Sequence, residues 1–419
     1  MKAAESSDFS TTPLVGCGPL IPARTTQGRG LKQQIFECIR AVGEIPRVSI
    51  AKELSVSAGS VTSLTAELID DGLIREIEVS KRDEDSGRGR PPVSLGVQQD
   101  AGFVAGLRLS DYRHTAVIID FAGNSLGQAS EDADKLHHSF DEILVAADTV
   151  LASALADAGK SIDDLAAVGV GLPGLVDHGT GRVPWSPVIR ERDTTLRETL
   201  SARIGCPVTV DNDANMVTLA ELWFGAGRSL NNFASITIEH GIGMGLVLDH
   251  QIYRGAGGLG TEIGHTKVQL DGALCRCGQR GCLEAYVADY ALVREAYTAL
   301  NLGKSDTGLP HAILERLYEQ AKQGNDSARA IFHRAGRYLA LGLANIVNLF
   351  DPSLILLSGE RMKYDYLYAE EVLTDMSNLI LQTGRPPPRV ETHAWGGLVW
   401  ARGAAALALD HATKAAIKT

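Results

Sequence analysis

One short segment constrains the fold of this 419-residue chain more than any other: His265, followed by Cys275, Cys277 and Cys282. Three thiolates and one imidazole are ligands that tetrahedral zinc prefers, and the glycines between them allow a tight loop. A redox thiol pair and unrelated loop cysteines are the alternatives. Because the four ligands fall within eighteen positions, we predict a zinc loop, and a closed Cys3His set makes the metal structural.

The length and the charge distribution divide the chain into regions. A chain of 419 residues exceeds one ordinary hydrophobic core, so we expect two or three domains. The net charge of −11 argues against nucleic-acid binding only if the acidity is uniform. It is not uniform, because residues 1–98 carry 12 basic and 13 acidic side chains, which leaves −10 for residues 99–419. DNA binding by the first region therefore stays open.

Composition and cysteine usage indicate a cytoplasmic globular protein. Apolar residues make up 44% of the chain and charged residues 22%, which is typical of soluble domains. Six cysteines do not form a disulfide framework in a chain of this length, so reduced thiols are expected. No apolar run is long enough to span a bilayer, and the first ten residues do not resemble a signal peptide. We therefore expect no membrane partner.

The amino-terminal region is predicted to be a winged helix-turn-helix. Residues 1–22 lack periodicity and are expected to form a flexible arm, and residues 23–98 have the hydrophobic spacing of three helices and a hairpin. The first predicted helix runs from Leu31 to Gly43, the second from Val48 to Leu54, and the third from Ser57 to the turn at Asp70–Gly72. The predicted strands are Leu73–Val79 and Pro92–Val97.

Two groups of residues in this region are candidates for DNA contacts. The start of the third helix carries small hydroxyl residues, which suit a helix in the major groove; they are Ser57, Ser60, Thr62 and Ser63. The hairpin tip carries Arg88 and Arg90 in a Gly-Arg-Gly-Arg-Pro wing, and arginines there can enter a minor groove. The alternative is a small helical module whose basic loop mediates protein contacts.

Residues 99–419 alternate strands and helices, which predicts an α/β region of two lobes with a cleft between them. The small lobe is expected at about 99–222 together with a carboxyl-terminal helix at 396–419, and the large lobe at about 223–395. Predicted strands include Phe103–Leu109, Thr115–Phe121, Ala166–Val170, Pro207–Val210, Ala234–Ile238, Gly245–Leu248 and Leu354–Leu357. We detect no sequence repeat of fixed period, although two related lobes could have diverged beyond detection.

Further candidate site residues surround the cysteines and follow one strand. Asp213 could act as a general base while the amide of Asn212 orients a hydroxyl, although a polar strand end that caps a helix is the common alternative. Glu262 and Glu284 flank the zinc loop, which would hold both carboxylates for gripping a polyol. Glycines at 241–245 and 255–260 could cradle phosphate or form tight turns.

Together these residues resemble the ROK family of repressors, open reading frames and sugar kinases. Ile238–His265 fits the family signature, and Cys275–Glu284 matches its Cys-x-Cys-Gly-x-x-Gly-Cys-x-Glu zinc motif. The remaining matching blocks are Gly171–Gly174, Asn212-Asp213, Asn348–Pro352 and Ser358-Gly359. The resemblance covers about residues 100–410, and the winged helix with its Arg-Gly wing is similar to that of the repressor branch.

The resemblance implies a fold and a set of ligand contacts. The fold would be the two-lobed, actin-like sugar-kinase fold with a structural zinc loop. Asn212, Glu262, His265 and Glu284 would contact sugar hydroxyls, His265 would also bind zinc, and Asp213 matches the catalytic base of the kinases. Members of the family typically form dimers or tetramers.

Departures from the kinase pattern predict that this chain uses no ATP. Where kinases carry an Asp-x-Gly-Gly-Thr turn, this sequence has Arg108 in place of the aspartate and bulkier residues in place of the glycines. In the second phosphate turn, Glu239 would repel the phosphates that the kinases bind there. One position of the sugar side also differs, because Val188 stands where the kinases usually have an asparagine.

We therefore interpret the sequence as a non-catalytic, sugar-responsive transcriptional regulator, a repressor, with operator DNA and a sugar or sugar derivative as ligands. Sugar would shift the population of cleft conformations and thereby reset the spacing of two winged helices. Two alternatives remain: a sugar kinase fused to a DNA-binding domain, and a regulator controlled by a sugar-transport protein.

Overall fold

The structure is a computed structural model, and it describes residues 16–20, 30–77, 93–133, 135–302, 310–359, 370–382, 384–393 and 396–417. Within these ranges the chain divides into two compact units. The first unit falls in Phe9–Asn231, Asp249–Gln251 and Gly397–Thr419, and the second unit falls in Asn232–Leu248 and Ile252–Gly396.

The amino-terminal part of the first unit contains three helices and a small antiparallel sheet. These elements are α1 (Leu31–Val42), β1 (Glu44–Pro46), α2 (Arg47–Glu53), α3 (Ala58–Asp70), β2 (Ile74–Ile77) and β3 (Ser94–Val97). The sheet has the order β1-β3-β2, and both pairings are antiparallel. The predicted helices and hairpin strands are therefore present. Strand β1 was not predicted, because a segment of three residues that ends in proline shows no alternation of apolar and polar residues.

Local chemistry explains where these helices begin and end. Helix α1 stops at Gly43, which has a φ of 89°. Glycine adopts this angle at little steric cost. Helix α3 starts after Ser57, whose hydroxyl accepts a hydrogen bond from the Ser60 amide at 3.0 Å. Both signals were visible in the sequence, because each depends only on neighbouring residues.

Residues 16–20 differ from the predicted flexible arm. Cys17 is fully buried, its amide donates to the Arg40 carbonyl at 2.9 Å, and the Gly18 amide donates to the Trp223 carbonyl at 2.8 Å. This segment therefore packs between α1 and the rest of the first unit. Periodicity could not reveal it, because a five-residue segment in irregular conformation has none.

The larger part of the first unit is built on a five-stranded sheet. Its strands are β4 (Phe103–Arg108), β5 (Arg113–Asp120), β6 (Ser125–Asp132), β7 (Leu165–Leu172) and β10 (Val208–Asn212). A separate two-stranded ribbon consists of β8 (Leu175–Asp177) and β9 (Arg182–Trp185). The helices are α4 (Phe140–Ala158), α5 (Leu196–Ile204), α6 (Asp213–Phe224) and α12 (Val399–Ala416).

Three glycines permit helix α12 to lie close to its neighbours. A Cβ on Gly106 of β4 would lie 2.0 Å from the Ala401 carbonyl oxygen, and one on Gly169 of β7 would lie 1.9 Å from that of Ala404. On α12 itself, a Cβ on Gly403 would lie 1.7 Å from the Met216 carbonyl oxygen. These distances are far inside van der Waals contact, so the glycines have a packing role.

The second unit contains another five-stranded sheet. Its strands are β11 (Phe233–Ile238), β12 (Ile242–Leu248), β13 (Gln251–Tyr253), β14 (Leu354–Ser358) and β15 (Arg389–His393). Its helices are α7 (Glu284–Val287), α8 (Asp289–Ala299), α9 (Pro310–Lys322), α10 (Asp326–Phe350) and α11 (Glu370–Leu379). The apolar core of this unit includes residues of the sheet, of the helices and of the cysteine segment, among them Cys275 and Cys282.

The two large sheets share one topology. In chain order, their strands are arranged 5-4-1-2-3 in the first unit and 3-2-1-4-5 in the second, which is the same order counted from opposite edges. In each sheet the first two strands are antiparallel, and the fourth and fifth run parallel to the first. The two sheets therefore share a backbone topology, although the sequence shows no repeat of fixed period.

A candidate metal centre and its sugar-contact residues

The four residues predicted to bind zinc come together in the second unit. The ligand atoms of His265, Cys275, Cys277 and Cys282 all lie within 4.8 Å of one another. The Cys277 and Cys282 sulfurs are 3.7 Å apart, and the Cys275 sulfur is 3.7 Å from His265 Nδ1. Backbone hydrogen bonds close the loop, including one from the Gly278 amide to the Cys275 carbonyl at 3.0 Å.

These distances fit a tetrahedral metal ion. Four ligands at zinc–sulfur bond lengths of about 2.3 Å would place neighbouring sulfurs about 3.8 Å apart, close to the separation found here. Burial raises the pKa of the Cys275 thiol to about 12, so a metal ion would have to displace its proton to gain a thiolate ligand. The donor set and its geometry therefore suit a thiolate-binding cation and leave no ligand position for a substrate.

Lys267 lies beside the cysteine loop and was missed by the sequence analysis. Its Nζ donates to the Cys282 sulfur at 3.1 Å and to the His265 carbonyl oxygen at 3.1 Å. Three thiolates and a divalent cation sum to one negative charge, which an ammonium group at this position offsets. A lysine two residues after the histidine is a weak signal by itself, because only the folded loop brings it to Cys282.

Glu284 is held against the metal loop. Its Oε2 accepts a hydrogen bond from the Ile242 amide at 3.4 Å, and its Oε1 accepts one from the Tyr290 hydroxyl at 3.4 Å. Oε1 also lies 3.6 Å from the Cys275 sulfur. Gly241 lies beside this carboxylate, since a Cβ at that position would lie 2.9 Å from Oε2 and would displace it slightly. The predicted polyol-gripping carboxylate is thus nearly buried and fixed in orientation.

The other predicted sugar contacts lie in both units. In the second unit, Glu262 is exposed and His265 is half-buried. In the first unit, Asn212 caps helix α6, with its side-chain oxygen accepting from the Ala214 amide at 2.8 Å and its Nδ2 donating to the Gly174 carbonyl at 2.7 Å. Asp213 begins that helix and accepts from the same amide at 2.9 Å. Both side chains therefore contact the start of helix α6, and the ligand role predicted for them stays a prediction.

The positions that depart from the kinase pattern have structural roles in this chain. Val188 is fully buried in the core of the first unit, so it adds an apolar contact where a kinase presents an amide. The Arg108 guanidinium carbon lies 3.5 Å from the centre of the Trp400 ring, a cation–π stack. Position 239 contributes through its main chain, since the Glu239 carbonyl accepts from the Asp289 amide at 3.2 Å, a contact that does not depend on the side chain.

The candidate DNA-contact residues of α3 lie at its amino-terminal end. Ser57, Thr62 and Ser63 are exposed, and Ser60 is half-buried. The Ser57 hydroxyl serves as the helix cap, and the Thr62 hydroxyl donates to the Ala58 carbonyl at 2.9 Å. Arg88 and Arg90 lie outside the described residues.

Across the described residues, none of the helices has both the length and the apolar character needed to cross a membrane.

The two matching sheets and the Cys3His loop define a two-unit α/β protein of the actin-like, sugar-kinase class. Within that class, the chain belongs to the ROK family, whose model matches residues 115–411. It is 29% identical over 334 residues to a putative xylose repressor of Caldicellulosiruptor sp., a match that covers 78% of this chain and 82% of that relative.

Two solved structures represent both branches of the family. One is a ROK family transcriptional regulator that is a homologue of the Escherichia coli MLC protein; it has a TM-score of 0.76 at 26% identity and covers 92% of this chain and 96% of its own. The other is a ROK family glucokinase from Streptomyces griseus in complex with glucose and AMPPNP, with a TM-score of 0.62 at 30% identity and coverage of 74% and 100%.

Proposed function

We propose that this chain is a sugar-responsive transcriptional repressor of the cytoplasm that binds operator DNA through residues 23–98. One observation carries the proposal. The match to the ROK transcriptional regulator covers 92% of the chain, which is more than residues 99–419 can supply, so it includes amino-terminal elements. The match to the glucokinase covers 74% and needs no such elements.

The amino-terminal elements support DNA binding by a winged helix-turn-helix. Helix α3 exposes small hydroxyl residues at its start, and β2 and β3 pair in antiparallel orientation, as expected of two strands joined by a wing. The wing itself is predicted to be the sequence between them. That sequence contains Arg88 and Arg90, which would enter a minor groove while α3 occupies the adjacent major groove.

The effector is a sugar or sugar derivative bound by Asn212, Asp213, Glu262, His265 and Glu284. Zinc at His265, Cys275, Cys277 and Cys282 has a structural role, since it completes the loop that holds Glu284. Sugar favours one conformation of the protein over another, and the repressor acts as a homodimer or tetramer whose winged helices read two half-sites.

The decisive experiment measures DNA affinity with and without sugar. Full-length protein selects its operator from fragmented genomic DNA, and fluorescence anisotropy then follows binding in the presence of D-xylose, N-acetyl-D-glucosamine or D-glucose. We expect one sugar to lower operator affinity at least fivefold, and an Asn212→Ala variant to keep DNA affinity but lose the response. Unchanged affinity with every sugar and sugar phosphate at saturation would disprove the proposal.

A sugar kinase is the second candidate, favoured by the 30% identity to the glucokinase that binds glucose and AMPPNP. Arg108 and Glu239 stand against it, because neither fits the role of the phosphate-turn residue it replaces. A coupled assay with hexoses and Mg-ATP separates the two functions. We expect no turnover above background; turnover that disappears in Asp213→Asn would establish the kinase instead.

A further inference from the structure

The contacts around Glu284 create an electrostatic problem once the loop holds a metal ion. The Cys275 sulfur lies 3.6 Å from Glu284 Oε1. Zinc binds cysteine as a thiolate, so at a loaded site neither of these two atoms would donate a hydrogen bond to the other. Two anionic acceptors then face each other at hydrogen-bond distance, and the pair needs a donor between them.

Tyr290 of helix α8 places a donor at this position. Its hydroxyl lies 3.5 Å from the Cys275 sulfur and 3.4 Å from Glu284 Oε1, so one O–H reaches both acceptors. The geometry therefore makes the phenol a donor that the sulfur and the carboxylate share.

The zinc loop itself fixes the Tyr290 ring. The guanidinium of Arg276, which stands between two predicted ligands in the sequence, lies 4.2 Å from the centre of the ring. This cation–π contact ties the ring to the metal loop. Arg276, Tyr290 and Glu284 thus form a chain of contacts that begins on the metal loop.

From this geometry we infer that Tyr290 is a positioning residue, whose hydroxyl bridges the metal-bound Cys275 thiolate and the Glu284 carboxylate and so couples metal binding to sugar binding. The second half of the inference, the coupling to sugar binding, rests on the proposed sugar-binding function. Its first half, the bridge to the metal ligand, can be tested without any sugar.

The primary test replaces the metal with Co²⁺ in the full-length protein. Hydrogen bonds to a metal-bound thiolate tune the electronic properties of the site, so loss of the Tyr290 hydroxyl should shift the sulfur-to-cobalt charge-transfer band to lower energy in Tyr290→Phe. Metal analysis should give about one ion per chain in both proteins. An identical band in variant and wild type would overturn the inference.

Tyr286→Phe is the matched control. It makes the same chemical change on a nearby buried ring whose hydroxyl accepts from the Ala273 amide of the loop at 2.7 Å. A general loosening of the loop would affect both variants, whereas the bridge affects only Tyr290→Phe. Equal band shifts in the two variants would therefore contradict a specific role for Tyr290.

The second test measures coupling by calorimetry with D-xylose, N-acetyl-D-glucosamine and D-glucose as probes. We expect Tyr290→Phe to weaken binding of the responding sugar about tenfold, as for loss of a hydrogen bond to a charged group, and to reduce the effect of that sugar on Co²⁺ affinity. If the wild type binds sugar and Tyr290→Phe has the same sugar affinity and the same effect of sugar on Co²⁺ affinity, the coupling is refuted. A wild type that binds none of these probes and no other sugar or sugar phosphate would refute the proposed function, while the cobalt spectrum still decides the bridge.

Discussion

At the residue scale, Cys277 is the exposed member of the four candidate metal ligands, so replacing it changes the coordination with little effect on core packing. We expect Cys277→Ser to lose the metal and to lower the melting temperature of the protein by about 10 °C, because a ligand present far above its Kd stabilises by several kcal/mol.

Chelator-treated wild type is the comparison for this variant, and its melting temperature should fall to the same value. A Cys38→Ser substitution, which is remote from the loop in sequence, should keep both metal and stability near those of the wild type. Metal retained at full stoichiometry by Cys277→Ser would contradict the four-ligand assignment.

Arg40 gives a second prediction at this scale. It is almost completely buried, donates to the Thr413 hydroxyl at 2.6 Å, and lies 4.7 Å from the centre of the Trp223 ring. We expect Arg40→Ala to lower the free energy of unfolding by about 2 kcal/mol, measured by urea denaturation. The exposed Arg75 supplies the control, since Arg75→Ala should change it by less than about 0.5 kcal/mol.

At the scale of elements, helix α4 begins with a capping box that makes its stability depend on pH. Ser139 accepts from the Glu142 amide at 3.3 Å, and the Ser139 amide donates to Glu142 at 2.7 Å. Lys135 and this backbone amide lower the pKa of the Glu142 carboxyl to about 2. The folded-state pKa is below the ordinary value, so the stabilisation is present above pH 4.5 and is lost as the pH falls towards 2.

The measurement is a pH series of unfolding experiments on wild type and Glu142→Gln. The difference in stability between the two should shrink steadily as the pH falls from 4.5 to 2. Asp141→Asn, in the same first turn of the helix, is the control for the general effect of an acidic residue near a helix amino terminus. A difference that stays constant over this range would contradict the assignment.

The helix starts and stops of the amino-terminal region were predictable because they depend on local chemistry. Gly43 and Ser57 act within a few residues of their own positions, so their signals remain in the sequence. Strands β1 and β13 were not predicted, since three residues are too few to show a period and their pairing partners lie elsewhere in the chain.

At the scale of the whole molecule, the uneven charge leads to a prediction about DNA binding. The amino-terminal 98 residues are nearly neutral and the remainder carries a net charge of −10, so few phosphate contacts are expected per module. We predict that operator affinity depends only weakly on salt concentration. In the double variant Arg88→Ala with Arg90→Ala, the slope of log affinity against log salt concentration should decrease in magnitude by about one to two.

Anisotropy titrations between 50 and 200 mM salt, a range in which phosphate contacts are resolved, provide this measurement. Light scattering of the same samples reports the oligomer, for which a dimer or tetramer is expected. Lys81→Ala with Arg82→Ala is the control, since it removes the same charge from the sequence between the same two predicted hairpin strands. Equal slopes for wild type and the Arg88 and Arg90 variant would show that these residues contact no phosphate.

The sequence by itself determined the residues whose chemistry is specific. Three cysteines and a histidine in one short segment define a metal site wherever the loop lies, and the geometry of His265, Cys275, Cys277 and Cys282 agrees with that prediction. Family membership was recoverable for a related reason, since the motif blocks are contiguous and a family model matches residues 115–411.

Only the tertiary structure decided which distant residues meet. Lys267 and Tyr290 contact the cysteine sulfurs through the folding of the loop against α8, and Arg40 meets Thr413 across most of the length of the chain. The common topology of the two large sheets was hidden as well, because strand order is set by backbone hydrogen bonds that many sequences can form. Such contacts depend on packing between segments far apart in sequence, and no local pattern records them.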